Sequence, residues 1–181
     1  MSTATTEAIH QRSEAPGQPV GELLYRFEAD LEVTPIGLVP EGIRMTIEYD
    51  GRITAGMLEG ARVWGNDPLL LRVDGVGIVD TAKTISDGET TLYEHVHAYC
   101  MPPEGLEVPP PEAILDPSFQ WPDVEFPILG SSTFRSGSPE YTHLNTTIAV
   151  IEGWANFATQ RNAVETRVLR HTGTAAAPRR G

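Results

Sequence analysis

The sequence predicts an all-β chain folded as a single antiparallel barrel with one long Pro-rich loop. Three observations carry this. Apolar residues recur at every second position in several segments, the period of a strand with one buried face. Asp-Gly turn signals separate these segments at short intervals. Helical periodicity is scarce along the 181 residues. Antiparallel strands joined by short turns must stack as two sheets or close on themselves, and closure removes the exposed edges.

Residues 1–20 are rich in Ser, Thr, Ala, Gln and Pro without apolar periodicity, so a flexible tail is expected there, with another at 172–181. Between them, residues 21–171 form one domain. The first strand spans Glu22 to Glu32, with Leu23, Tyr25, Phe27, Ala29 and Leu31 on one face and Arg26, Glu28 and Asp30 on the other. Ile43, Met45, Ile47 and Tyr49 continue the pattern into Asp50-Gly51, which reads as a hairpin turn, and Ile53 to Val63 is its partner strand. Asp74-Gly75 and Asp87-Gly88 bracket a strand from Val76 to Ser86, and Thr90 to Met101 follows as a meander. After the loop, Ser131 to Arg135, Thr142 to Gly153 and Asn162 to Arg170 read as strands because of their β-branched content.

The loop, residues 102–128, holds most of the prolines, with Phe119, Trp121 and Phe126 set among acids. Proline supplies no backbone donor, so a central strand is excluded. Long loops in compact domains are usually functional or disordered. The aromatics favour an ordered flap over the barrel mouth, against an insertion that merely covers the outside of the core.

A formal net charge of −12 argues against nucleic-acid and anionic-membrane partners, which need a basic surface. No apolar run approaches a membrane span and no secretory signal is legible, so a cytoplasmic location is expected. Cys100 is the only cysteine; it excludes an internal disulfide and reads as a buried hydrophobe rather than a nucleophile.

Leu71-Arg72-Val73-Asp74-Gly75 carries the first candidate site. Arg72 and Asp74 share a strand face: either they form a solvated outer pair, or Arg72 lies inside and offers a planar fork to a carboxylate, enolate or carbonyl oxygen, with Asp74 orienting it or acting as base. On the strand from Thr90, Tyr93, His95, His97 and Tyr99 face one way and Leu92, Glu94, Val96, Ala98 and Cys100 the other. If the first face lines the barrel, His95 or His97 is a candidate acid or base. If the second does, Glu94 becomes a buried carboxylate suited to the same work, and the small apolar companions favour this choice. Arg135 is a second candidate cation near the rim, and Trp64, Tyr141, Asn145 and Trp154 are candidate ligand contacts.

His95-Val96-His97 also invites a metal, but the third ligand is not evident: Glu104 lies beyond Met101-Pro102-Pro103 and His143 is distant in sequence. No metal is therefore read. No phosphate loop, dinucleotide fingerprint or nucleophile elbow is present, so no cofactor is implied.

The order of these signals resembles a known family. The Leu24-Tyr25 strand, Gly42-Ile43-Arg44 leading to Asp50-Gly51, Leu71-Arg72-Val73-Asp74-Gly75 followed by Asp80, Asp87-Gly88, and Phe134-Arg135 before Tyr141-Thr142-His143-Leu144-Asn145 are similar to the domain of unknown function 3237 family, over about Leu23 to Arg170. The resemblance implies a small calycin- or lipocalin-like antiparallel barrel and no established general activity. Trp64-Gly65-Asn66-Asp67-Pro68 departs from the family's Gly-Gly-Ala-Asp-Trp-like segment, and the Pro-rich loop is longer.

The functional expectation is a barrel that binds a small hydrophobic or aromatic ligand. Its catalytic extension is a cofactor-free isomerase, cyclase or dehydratase acting on an apolar carbonyl or polyketide-like compound. The alternatives are a non-catalytic carrier or sensor and a structural oligomerisation module; a homo-oligomer is compatible with each.

Overall fold

Nine strands follow one another around a closed wall in the computed structural model, which describes residues 21–168. The tails expected at 1–20 and 172–181 lie outside the described residues. In chain order the strands are β1 (Glu22–Val39), β2 (Gly42–Gly56), β3 (Arg62–Asp67), β4 (Leu70–Arg72), β5 (Gly77–Ser86), β6 (Thr91–Cys100), β7 (Phe126–Ser136), β8 (Ile148–Asn156) and β9 (Arg161–Val168). A four-residue helix, α1 (Pro111–Ile114), and a 3-10 helix, Pro139–Thr146, complete the described elements.

Every pairing is antiparallel, and β1 pairs with both β2 and β9, so the sheet closes. Both β3 and β4 pair with β2 and with β5, so they share one position in the wall, interrupted at Pro68. The result is an eight-strand antiparallel barrel, as the alternation predicts. Tyr25, Phe27, Ala29 and Leu31 of β1 and Ile43, Met45, Ile47 and Tyr49 of β2 are all buried, as their period-two spacing requires.

Two local expectations fail for identifiable reasons. Asp50-Gly51 is not a turn: β2 runs straight through it, with Gly51 opposite Ala29 on β1 and Val63 on β3. A Cβ on Gly51 would come within 2.0 Å of the Glu28 carbonyl oxygen, so the glycine serves close strand approach rather than chain reversal. The reversal occurs instead at residues 57–60. Likewise, the expected strand from Thr142 starts only at Ile148; Pro139 opens a 3-10 helix whose Leu144 is 1% exposed and joins the core.

Apart from α1 the Pro-rich segment is irregular up to residue 125, and β7 starts within the expected loop, at Phe126. Pro127 is tolerated there because it lies past the last β6–β7 pair, Cys100↔Ile128, and uses its carbonyl to accept from the Met101 N–H. The segment is tied to the barrel through its aromatics. Trp121 packs on Phe157 and Phe126 with ring centroids 4.8 and 6.1 Å apart, and Phe119 meets Trp121 at 5.2 Å. Asn156 on β8 donates to Asp123 at 2.7 Å and pins the same segment.

Candidate functional site

The alternation on β5 and β6 decides which polar groups enter the barrel. Val79, Thr81, Lys83 and Ile85 of β5 point inward, as do Leu92, Glu94, Val96, Ala98 and Cys100 of β6. Of the two open readings of β6, the one that buries Glu94 holds. Lys83 and Glu94 are register partners, so two opposite charges meet inside an apolar wall. Lys83 Nζ lies 3.1 Å from Glu94 Oε2, and both side chains are essentially inaccessible. The Tyr25 hydroxyl donates to the same carboxylate oxygen. The ammonium also sits over the Phe27 ring at 4.4 Å and the Tyr25 ring at 5.3 Å, where the ring faces stabilise it.

These contacts set the titration behaviour. Burial pushes the Lys83 ammonium below the ordinary lysine range, while the neighbouring Glu94 pulls it back. Burial, then the charge and hydrogen bond of Glu94, holds the Tyr25 hydroxyl well above the ordinary phenol range. Tyr49 is raised in the same direction, first by burial and then by Glu94 and Asp67. Among the described residues, six buried side-chain polar atoms lack a hydrogen-bond partner, and two of them, the Tyr49 hydroxyl and Asn162 Oδ1, belong to residues that line an inner cavity of the barrel, while Glu94 Oε1 lies in the ion pair. Buried polar atoms in native proteins are nearly always satisfied, so Tyr49 and Asn162 mark where a polar guest gains most.

Asp67 is a further interior ionisable group. Where β3 stops before Pro68, its carboxylate takes over the missing ladder bond and accepts the Asp80 backbone N–H at 3.0 Å. Burial raises its pKa to about 6, against the opposing hydrogen bonds from Asp80 and Thr81. Burial, with Asp67 adding to it, pushes the Cys100 thiol up to about 12, consistent with an inert buried side chain.

Beside these groups lies an inner cavity of about 60 Å³. Its polar wall is Lys83, Asp67, Tyr49, Thr81 and Asn162, and the rest is apolar, including Phe27, Val96, Ile128 and Phe157. A second space of about 200 Å³, almost wholly apolar, lies under the Pro-rich segment between Leu71, Leu106, Val108, Phe119, Trp121 and Phe126. Phe126 of the outer space meets Phe157 of the inner one edge to face at 5.2 Å, so a pair of rings stands between them.

Of the sequence-predicted site residues, only Glu94 lies inside. Arg72 and Asp74 do not line the barrel: they form a 2.6 Å ion pair at the β4–β5 turn with both side chains about half exposed. Asp74 also accepts the Val76 N–H, the bond of an Asx turn, so turn chemistry rather than ligand chemistry accounts for its position. His97 is on the outer wall. Trp64 is outside too, under the Arg62 guanidinium at 5.0 Å, and Trp154 lines an open outer groove with Arg26 and Glu165. Arg135 donates to the carbonyls of Phe134 and Asn145 at 2.5 and 3.4 Å. Asn145 accepts from and donates to the Ser136 backbone at 2.7 and 2.9 Å, fixing the 3-10 helix to β7. Tyr141 lies on that helix, away from the residues lining either cavity.

Lys83, Asp67, Tyr25 and Tyr49 were not singled out from the sequence. A signal for Lys83 exists: it holds an in-phase position between Val79 and Ile85, where alternation places it indoors. Asp67 precedes Pro68 at a strand break, and nothing in its neighbourhood announces burial.

No family model matches the chain, and no curated protein matches it. Solved structures do. A conserved protein of unknown function from Rhodopseudomonas palustris aligns with a TM-score of 0.59 at 20% identity, over 84% of this chain and 100% of that one. A protein of unknown function from Clostridium acetobutylicum gives a TM-score of 0.60 at 20% identity over 80% and 95%. A beta-barrel like protein from Acinetobacter baumannii gives 0.60 at 23% identity over 86% and 100%. At these identities the likeness extends to the fold. No helix among the described residues is long and apolar enough to cross a membrane.

Proposed function

We propose that the barrel binds a small, largely apolar molecule carrying one neutral polar group, a carbonyl above all, with that group against Lys83 and Tyr49. The observation that carries this is the unpartnered Tyr49 hydroxyl, a free donor that lines the same largely apolar cavity as the buried Lys83 ammonium. Among the described residues, the buried cation is already matched: Lys83 faces Glu94, and Arg72 is outside. A neutral acceptor therefore suits the site better than the anion that an inward Arg72 would have favoured. The inner cavity, about 60 Å³, takes the polar end of a small guest. A longer apolar tail would reach the space under the Pro-rich segment by rotation of the Phe126–Phe157 rings.

Catalysis is an extension of this binding. A lysine whose ammonium is destabilised by burial, bonded to a carboxylate, can exchange a proton with the α-position of a bound carbonyl compound and support isomerisation or dehydration without a cofactor. The small size of the inner cavity favours a second reading, in which the barrel is filled by its own side chains and serves as a scaffold. Membership of the domain of unknown function 3237 family, suggested by the turn and strand motifs, belongs to the same proposal.

A thermal-shift screen against short aldehydes, ketones, lactones and phenols separates these readings. Saturation at about 100 times the dissociation constant stabilises by roughly 2.7 kcal/mol. A shift for one carbonyl class that disappears in the Lys83→Met/Glu94→Gln variant supports the pocket. No shift from any class, or one that survives in the variant, defeats it in favour of the scaffold or of another surface.

A further inference from the structure

The outer wall carries a cluster that the interior site does not use. Asp80 on β5 stands directly opposite His97 on β6, and His95 lies two residues away on the same outward face. His95 Nε2 lies 2.9 Å and His97 Nδ1 3.2 Å from a single oxygen, Asp80 Oδ1. The two imidazoles meet edge to face with centroids 4.4 Å apart, each with a nitrogen against that same oxygen. We propose that Asp80, His95 and His97 form a binding site for one divalent transition-metal ion of the zinc type on the outside of the barrel.

Geometry supports the assignment. A tetrahedral ion bonded at 2.0–2.1 Å holds its ligand atoms about 3.3 Å from one another. The three donor atoms here all lie within 4.8 Å of each other, and two of the separations are already 2.9 and 3.2 Å. Small rotations of side chains admit the ion. The backbone beneath is a regular ladder, with Asp80↔His97 and Ala82↔His95 in register, so the spacing is fixed by the sheet rather than by a loop.

Donor chemistry selects the metal class. Two imidazoles and one carboxylate suit zinc, cobalt, nickel or copper, whereas calcium and magnesium take oxygen ligands almost exclusively. Three protein ligands leave a coordination position open to water or to a donor from another molecule. The residues across from the histidines on the far side are Ser131 and Thr133 of β7, whose short side chains do not cover that position. The third ligand escaped the sequence reading because it arrives across the sheet, from a different strand, and not within reach along the chain from His97.

The test uses the full chain, stripped with EDTA and exchanged into metal-free buffer at pH 7.5. Titration with Co²⁺ is expected to give a visible d–d absorption that saturates at one ion per chain and is abolished by one equivalent of Zn²⁺. His95→Ala/His97→Ala is expected to weaken Co²⁺ binding at least about a hundredfold, and Asp80→Ala at least about tenfold, while His143→Ala leaves it unchanged. The three ligands are on the surface, so melting temperatures in EDTA should match wild type; should the double variant not fold, Asp80→Ala carries the test alone. Absence of stoichiometric binding by wild type, or binding as tight in Asp80→Ala or in the double variant as in wild type, overturns the site.

Discussion

Lys83 and Glu94 face each other across β5 and β6 inside the barrel, Nζ 3.1 Å from Oε2, with both side chains buried. Such a pair contributes little net stability, because desolvation of both ions offsets their attraction, yet removing one partner strands the other. Glu94→Leu is therefore expected to cost about 3–5 kcal/mol. The double variant Lys83→Met/Glu94→Leu should recover most of that loss. Urea unfolding at pH 7.5 measures both, and a double variant no more stable than Glu94→Leu would show that the pair is not the source of the cost.

Asp67 gives a pH dependence with a definite sign. Its carboxyl titrates at about 6 in the folded protein, raised by burial, against an ordinary value near 3.9 in the unfolded chain. Between those values the folded state holds more protons, so the contribution of Asp67 to stability is complete below about pH 4 and is lost as pH rises through 6. The loss is at most about 3 kcal/mol. Asp67→Asn keeps an acceptor for the Asp80 N–H and cannot ionise. It should be more stable than wild type at pH 8 by about 1–3 kcal/mol, and equal to it at pH 4. Equal stability at both pH values would mean that the carboxyl does not titrate in this window.

Arg72→Ala tests the correction to the sequence reading. The Arg72–Asp74 pair is exposed on both sides, and such pairs are worth about 0–1 kcal/mol. The variant should unfold within about 1 kcal/mol of wild type, and ligand shifts obtained with wild type should persist in it. Loss of those shifts would return Arg72 to the site.

The barrel was legible because alternation and turn chemistry agree along most of the chain: Tyr25 to Leu31, Ile43 to Tyr49 and Leu92 to Cys100 all bury the expected face. Local signals misled where tertiary contact overrode them. Asp50-Gly51 has the composition of a turn, but Gly51 is needed where β1 and β3 crowd β2. The site was less legible than the fold for a related reason. Arg72 and Asp74 drew attention as charges in an apolar stretch, yet β4 ends at Arg72 and the pattern there belongs to a turn. Lys83 sat unremarked in a better-formed strand, where phase with Val79 and Ile85 put it inside. Which of two faces points inward is settled by partners on other strands, and sequence order carries that information weakly.

Gly65 shows how closely the interior wall is fitted around the site. It lies on the inner face of β3 between Val63 and Asp67, and a Cβ there would fall 2.4 Å from the Ala82 carbonyl oxygen and 2.5 Å from the Tyr49 hydroxyl. The first contact is backbone on the neighbouring strand and cannot yield cheaply; the second is a phenol with no hydrogen-bond partner among the described residues. Gly65→Ala is expected to cost about 1–3 kcal/mol, the range for overpacking a filled core. Tyr49→Phe alone should be neutral or slightly stabilising, since it deletes an unsatisfied buried hydroxyl. Combined, the two should be less destabilising than their sum, because the phenol clash is gone while the strand clash remains. Strict additivity in urea unfolding would mean that Gly65 is required by the β3–β5 approach alone and that Tyr49 is free to turn away from it.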